Sequence, residues 1–207
     1  FTGGCNFKCP FCHNPELVFL PADLPPIEWK TIFDYLKKRK NMLGGVCITG
    51  GEPLLHDDIE SIITQIKNLG LKVKIDTNGS NPELLKRLKV DYIAMDIKTS
   101  FEKYNQVGYT GNENLVDLIK ESIEYVINSQ IKYEFRTTVV PGLVDIEDII
   151  KISELIKGSK KYTLAQFRQK NLLDPSWENI TPYEEKVLKD MKRAAEERKI
   201  NCEIRVY

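Results

Sequence analysis

From Pro25 onward, short apolar runs rich in β-branched residues alternate with stretches whose apolar residues recur every three or four positions. Strands alternating with helices restrict a chain to βα units around a mainly parallel sheet. Strands are expected over 46–49, 72–76, 91–97, 133–140, 162–167 and about 202–206. Helical stripes fall between them: Trp29, Ile32, Phe33 and Leu36; Ile59, Ile62, Ile63, Ile66 and Leu69; Leu115, Leu118, Ile119, Ser122, Ile123 and Val126; Ile146, Ile149, Ile150 and Ile156. A short helix is expected from Pro82. Asp57 and Asp58 put negative charge at a helix start, where the dipole favours it. Thr181-Pro182-Tyr183-Glu184 reads as a capping box with proline at the first helical position, predicting a further helix there.

At 207 residues the chain is shorter than the roughly 250 of a complete eight-fold barrel. The expected fold is therefore α/β, a partial (β/α)6 TIM-like barrel forming a single domain over 1–207, with a doubly wound open sheet as the alternative. Phe1-Thr2-Gly3 reads as the end of a further strand whose upstream part is expected to lie outside this sequence. Composition, 42% hydrophobic and 29% charged, is that of a soluble globular protein. Thirty basic residues balance thirty acidic ones, so no nucleic-acid or membrane-surface partner is expected. No apolar run approaches the roughly 20 residues of a membrane span. Five cysteines, three of them clustered, are unlike a secreted disulfide framework and point to a reducing cytoplasm.

In parallel α/β folds ligands bind at the carboxyl ends of the strands. The unusual polar groups gather there, strand after strand: Thr49-Gly50-Gly51-Glu52-Pro53, Asp76-Thr77-Asn78-Gly79, Asp96-Ile97-Lys98, Arg136 inside its strand, then Gln166 and Arg168. Before them all comes Gly4-Cys5-Asn6-Phe7-Lys8-Cys9-Pro10-Phe11-Cys12, a loop by its glycines and proline. Soft thiolate ligands suit zinc, copper(I) or an iron–sulfur cluster. Three ligands rather than four leave a coordination position open for chemistry.

The spacing Cys5-x3-Cys9-x2-Cys12, with Phe11 before the last cysteine, resembles the signature of the radical S-adenosylmethionine (SAM) enzymes. The wider run through His13-Asn14-Pro15-Glu16 is similar to the glycyl-radical-enzyme activating proteins, above all the activators of anaerobic ribonucleotide reductase. The resemblance implies a [4Fe-4S] cluster on Cys5, Cys9 and Cys12 whose open iron binds S-adenosyl-L-methionine. It implies reductive cleavage to a 5′-deoxyadenosyl radical, with the electron from a flavodoxin or ferredoxin-type donor. It also implies hydrogen abstraction from a glycine of a partner enzyme, expected to be anaerobic ribonucleotide reductase. Gly50-Gly51-Glu52 resembles the motif that approaches the methionine end of SAM, with Glu52 toward its ammonium group. Asp76, Asn78 and Asp96 resemble strand-end residues that neighbour SAM and a bound cation in pyruvate formate-lyase activators. Lys98, Arg136 and Arg168 complete the implied SAM site, and Phe11 packs against adenine or shields the cluster. Ala165-Gln166-Phe167-Arg168 departs from pyruvate formate-lyase activators, which carry a histidine near here.

Each motif has a plainer reading. Gly50-Gly51 and Asp76 to Gly79 are ordinary turns in other chains. Charges such as Lys98 are commonly solvated or ion-paired, whereas Arg136 stands in a strand of buried-type residues. Cys47 and Cys202, amid apolar strand residues, are expected to be small buried hydrophobes. His56 is expected in a turn before a helix, and His13 has no evident role. Residues 100–114 form a long polar stretch expected to act as a partner-docking lid, or else as a surface loop. Two other functions stay open: SAM chemistry on a small molecule, as in 7-carboxy-7-deazaguanine synthase, and a non-enzymatic zinc module that binds another protein.

Overall fold

The structure is a computed structural model that describes residues 1–21, 25–111 and 114–206. Six strands form one sheet: β1 (Gly45–Ile48), β2 (Lys72–Thr77), β3 (Tyr92–Asp96), β4 (Lys132–Val139), β5 (Tyr162–Gln166) and β6 (Cys202–Arg205). They lie side by side in chain order, every neighbouring pair parallel, with β1 and β6 at the edges. This is the partial (β/α)6 barrel. The helices are α1 (Pro15–Phe19), α2 (Trp29–Arg39), α3 (Ile59–Asn68), α4 (Pro82–Arg87), α5 (Leu115–Asn128), α6 (Ile146–Leu155) and α7 (Glu185–Glu196).

Strand side chains alternate between faces, so register decides what each face becomes. One set of rows is apolar: Ile75 beside Ile93, Ile93 beside Tyr133, Met95 beside Phe135, Phe135 beside Tyr162. All are buried, in one core with Ile63 and Ile66 of α3, Ile119 and Ile123 of α5, and Leu188 and Met191 of α7. Fully burying such a side chain stabilises by about 1.5–3 kcal/mol. The other rows are polar: Lys74 beside Tyr92, and Asp96 beside Arg136, Thr163 and Glu203. That face meets no helix layer, and it becomes the concave side of the barrel.

The strand that Phe1-Thr2-Gly3 suggested is reduced to one parallel bridge between Thr2 and Gly50. Cys202 is buried as expected, but Cys47 is exposed. Alternation explains the correction: Ile48 turns to the core, so Cys47 turns to the concave face, 3.7 Å from Asp76 Oδ1. The capping box at 181–184 does not form. α7 begins at Glu185, with no side-chain cap on its first turn. The Tyr183 carbonyl instead accepts a hydrogen bond from Gln166 Nε2 at 3.1 Å, and 181–184 stays non-helical beside the end of β5. A capping box does form at α6. There Asp145 Oδ1 accepts from the N–H groups of Glu147 and Asp148, and Asp148 Oδ2 accepts from the Asp145 N–H. Among the described residues no helix is long and apolar enough to cross a membrane.

Phe135, fully buried between Met95 and Tyr162, carries the joint between layers. Replacing it with alanine is expected to cost about 3–5 kcal/mol in denaturant unfolding. A loss below about 1 kcal/mol would contradict this account of the core.

Candidate active site

At the carboxyl ends of the strands lies a cavity of about 850 Å³, counting space open to solvent at its mouth. Cys5, Cys9 and Cys12 all line it, and so do Phe11, Gly50, Gly51, Glu52, Asp76, Asn78, Asp96, Lys98 and Arg136. Of the strand-end residues expected there, Gln166 and Arg168 are missing from the lining. Arg168 is exposed and does not line the cavity. β5 ends at Gln166, Phe167 takes the buried position, and the next side chain turns outward; burial disfavours the protonated form of His13, and the nearby Arg168 charge adds to this.

The cysteine loop has little regular structure of its own and is held from three sides. On the first, Gly51 N–H donates to the Thr2 carbonyl (2.9 Å), Glu52 N–H to the Gly4 carbonyl (2.8 Å), and His56 Nε2 meets the Gly3 carbonyl (2.9 Å). Approach is so close that a methyl group on Gly51 would overlap the Gly4 carbonyl, and one on Gly50 the Thr2 backbone. Gly50 also has φ +124°, which disfavours other residues. On the second side, Lys8 N–H donates to the carbonyls of Val107 and Gly108, and Thr110 N–H to the Asn6 carbonyl. The Tyr109 ring meets Phe7 edge-on at 5.5 Å. On the third, residues 170–174 bond the stretch from Pro10 to His13.

The second brace belongs to the stretch expected to be a docking lid or a surface loop, and it is partly buried. Tyr104 is only 3% exposed, and its hydroxyl accepts from the Lys98 N–H at 3.2 Å, so it supports the site from beneath. Lys103 and Ser100, both bonded to the Asp148 carboxylate at 2.5 Å, fasten the segment to α6. Asn112 and Glu113 of that stretch lie outside the described residues.

Glu52 is 1% exposed. Its carboxylate accepts from the Leu54 N–H (3.1 Å), Thr77 Oγ1 (2.6 Å) and the Asn78 N–H (2.7 Å), tying the end of β2 to the glycine turn. Burial pushes its pKa from 4.5 to about 7, the three donors only partly opposing this. Asn78 Nδ2 donates to Asn6 Oδ1 (2.9 Å) and Asn6 Nδ2 to Ser80 Oγ (2.8 Å), which fixes the loop between Cys5 and Cys9.

Arg136 crosses the floor of the cavity. Nε donates to Asp96 Oδ1 at 2.7 Å and Nη1 to Asp76 Oδ2 at 2.9 Å. Lys98 Nζ bonds the other Asp96 oxygen at 2.9 Å, and Lys74 Nζ bonds Asp76 Oδ1 at 2.6 Å. The cations that face these aspartates are thus side chains of the chain itself. Burial alone would raise the Asp96 pKa, but Arg136 and Lys98 hold it well below the usual carboxylate range. Thr49 of the expected strand-end group and His13 beside Cys12 also line the cavity, and so do Phe7, Asn14, Val18 and Thr138, which the sequence reading passed over. Thr138, two positions after Arg136 in β4, had a legible signal in strand alternation; Val18 of α1 had none.

All three loop cysteines are free thiols facing a cavity. Burial raises the Cys5 pKa and pushes Cys9 up to about 12, while the nearby Lys98 charge acts the other way. Deprotonating such thiols needs bound positive charge, which a thiolate-ligated metal group supplies. Among the described residues no three or more His, Cys, Asp or Glu side chains converge on one ion. A cluster taking one thiolate per iron does not require that convergence, and the donor set fits it.

A family model described as the Radical SAM superfamily matches residues 1–156. A candidate glycyl-radical enzyme activating enzyme of Methanocaldococcus jannaschii is 33% identical, the match covering 99% of this chain and 87% of that one. The pyruvate formate-lyase-activating enzyme of Listeria monocytogenes is 29% identical over 84% of this chain and 72% of its own length. Among solved structures, SuiB of Streptococcus suis bound to S-adenosylmethionine superposes with a TM-score of 0.70. It is 20% identical, and the match covers 99% of this chain but 48% of SuiB, a likeness of fold.

Two outcomes test the site's electrostatics. Arg136→Met removes the cation that Asp76 and Asp96 share and leaves each of them with one lysine only; it is expected to destabilise the protein by about 2–4 kcal/mol, nearer the buried than the surface limit. The folded-state pKa of Glu52 lies above its ordinary 4.5, so the folded protein binds more protons between pH 4.5 and about 7. Stability should therefore fall as pH rises through that window, by about 3 kcal/mol in all. Urea unfolding of the metal-free protein should show this slope in the wild type and lose it in Glu52→Gln. A flat wild-type profile would contradict the assignment.

Proposed function

The chain belongs to the radical SAM superfamily, and we propose that within it the protein activates a glycyl-radical partner enzyme by abstracting a hydrogen atom from a backbone glycine. The observation that carries this reading is the meeting of Cys5, Cys9 and Cys12 with Glu52, Asp96, Lys98 and Arg136 around one cavity at the strand ends. The relatives named for activating glycyl-radical enzymes and pyruvate formate-lyase support the partner class. Enzymes of this family work with a [4Fe-4S] cluster and S-adenosyl-L-methionine, which on one-electron reduction supply a 5′-deoxyadenosyl radical.

Cys5, Cys9 and Cys12 would hold the cluster, and Lys98, beside Cys9, offsets the thiolate charge. Glu52 accepts three hydrogen bonds from the protein, and a carboxylate has about four acceptor positions. One position remains for a substrate ammonium, while the Lys98 ammonium suits a carboxylate. Gly50 and Gly51 bring bare backbone to the wall, and Phe11 gives an apolar surface for a base. Arg136, Asp76 and Asp96 hold one another in place, and Asn78 fixes the loop through Asn6. A glycine presents its Cα hydrogens without a Cβ in the way, so it is the residue best able to enter such a recess. The partner is expected to be anaerobic ribonucleotide reductase, on the sequence likeness around Cys12 and the absence of histidine at 165–168. The electron is expected from a flavodoxin or ferredoxin-type protein in a reducing cytoplasm, where free thiols persist.

The test is anaerobic. Protein reconstituted with iron and sulfide is reduced, given SAM, and assayed for 5′-deoxyadenosine and for a glycyl radical on added ribonucleotide reductase or pyruvate formate-lyase. Cleavage by the wild type and none by Cys9→Ala, with a radical on one partner, is the expected result. Cleavage with no radical on either, but turnover of a small molecule, would move the substrate elsewhere. Tightly bound zinc and no cluster would overturn the reading.

A further inference from the structure

The segment that leaves β5, residues 167–180, runs back over the cysteine loop from outside the cavity. Leu173 N–H donates to the Cys12 carbonyl and Asp174 N–H to the Pro10 carbonyl, both at 3.0 Å. Asn171 Nδ2 donates to the His13 carbonyl at 3.1 Å, and His13 Nδ1 lies 3.1 Å from the Lys170 carbonyl. The strap has internal bracing as well. Asp174 Oδ1 accepts from the Ser176 N–H (2.9 Å) and Oγ (2.7 Å), capping a single 3-10 turn over Pro175–Asn179. That turn sets the Trp177 ring against Phe11, with ring centres 6.2 Å apart and planes inclined by 34°.

The two rings form successive layers. Phe11 is 5% exposed and lines the cavity next to Cys12; Trp177 is half-buried and does not line it. Pro10 and Cys12, the residues on either side of Phe11, are the same two whose carbonyls the strap captures. Backbone clamp and ring therefore act on one short turn. Shifting Trp177 would loosen the wall that separates the thiols from bulk water at this point.

We propose that Trp177 is a positioning residue that backs Phe11 and thereby limits the access of water to the metal group held by Cys5, Cys9 and Cys12. The inference rests on the reading of those cysteines as cluster ligands. Its consequence is electrostatic. A reduced cluster carries one more negative charge, which water stabilises, and solvent exposure is one of the levers on cluster potential. Keeping water out at Phe11 holds the potential low, as suits a strong reductant.

The test uses the reconstituted [4Fe-4S] protein under anaerobic conditions, comparing wild type, Trp177→Ala and Trp177→Phe. Trp29→Ala, which removes the other tryptophan, half-buried on α2 and away from the cavity, is the control. Iron loss to an excess of ferrous chelator is expected to be about tenfold faster in Trp177→Ala, equivalent to about 1.4 kcal/mol in the opening of the strap. The midpoint potential should move upward, Trp177→Phe should restore most of both, and Trp29→Ala should change neither. Equal rates and potentials in wild type and Trp177→Ala would overturn the proposal, and so would the same acceleration in Trp29→Ala. If Trp177→Ala fails to fold, Trp177→Leu, which keeps apolar volume, carries the comparison with the same two outcomes. A wild type that assembles no cluster overturns the ligand reading beneath it as well, and is told apart by its missing iron.

Discussion

The bridge from Asp76 through Arg136 to Asp96 decides what the concave face of this sheet is able to be. Three neighbouring parallel strands supply its charged side chains, Asp76 and Asp96 near the ends of β2 and β3 and Arg136 inside β4. Without the guanidinium, two carboxylates would oppose each other at the floor of a partly desolvated cavity, an arrangement that raises one pKa sharply. With it, β2, β3 and β4 are joined by charge-assisted hydrogen bonds in the planar geometry arginine offers and lysine does not. Lys74 and Lys98 complete the pairing on the outer oxygens. Two carboxylates against three cations leave the floor rigid and with a net charge of +1, and the cysteine loop is placed above it.

That loop depends on others for its shape. Its backbone hydrogen bonds run to the glycine turn after β1, to the segment after β3 and to the strap after β5. Loops far apart in sequence converge because each follows a strand of one parallel sheet, and all such loops leave at the same end. Gly51 shows how tight the convergence is, since even a methyl group would strike the Gly4 carbonyl. The glycines of the Gly50-Gly51-Glu52-Pro53 stretch therefore have a packing reason to exist alongside any contact with a ligand.

The sheet was legible in the sequence because the strands were short apolar or alternating runs rich in β-branched residues, and all six expected strands are present with ends within one or two residues. The cavity was legible because polar residues at strand ends stand out against such runs. What failed to show has physical reasons. Cys47 looked buried because its neighbours were apolar, but period-two alternation sends it to the face opposite Ile48. The capping signal at 181–184 lost to a tertiary hydrogen bond between Gln166 and Tyr183. Tyr104 looked like part of a polar surface stretch, whereas it is buried, with its hydroxyl under Lys98. Only the capping signal was overridden by a partner remote in the chain; Cys47 follows an alternation that its apolar neighbours masked, and Tyr104 is buried by a local fold-back onto Lys98.

The pairing of these polar groups also limits how the site can recognise anything. Asp76, Asp96 and Arg136 are bonded to each other before a ligand arrives, so they offer a fixed surface rather than adaptable hands. Capacity remains elsewhere. Lys98 has three donors, one directed to Asp96, and Glu52 has one acceptor position beyond its three hydrogen bonds. A donor and an acceptor, one cationic and one anionic, in the same cavity as three thiols match a zwitterion better than a simple anion or cation. The match requires Glu52 to be ionised when its ligand binds. Burial alone opposes that, and the arriving ammonium group favours it. With its pKa raised to about 7, Glu52 exchanges between acid and carboxylate near neutral pH in the empty fold, and an arriving cation shifts it toward the carboxylate.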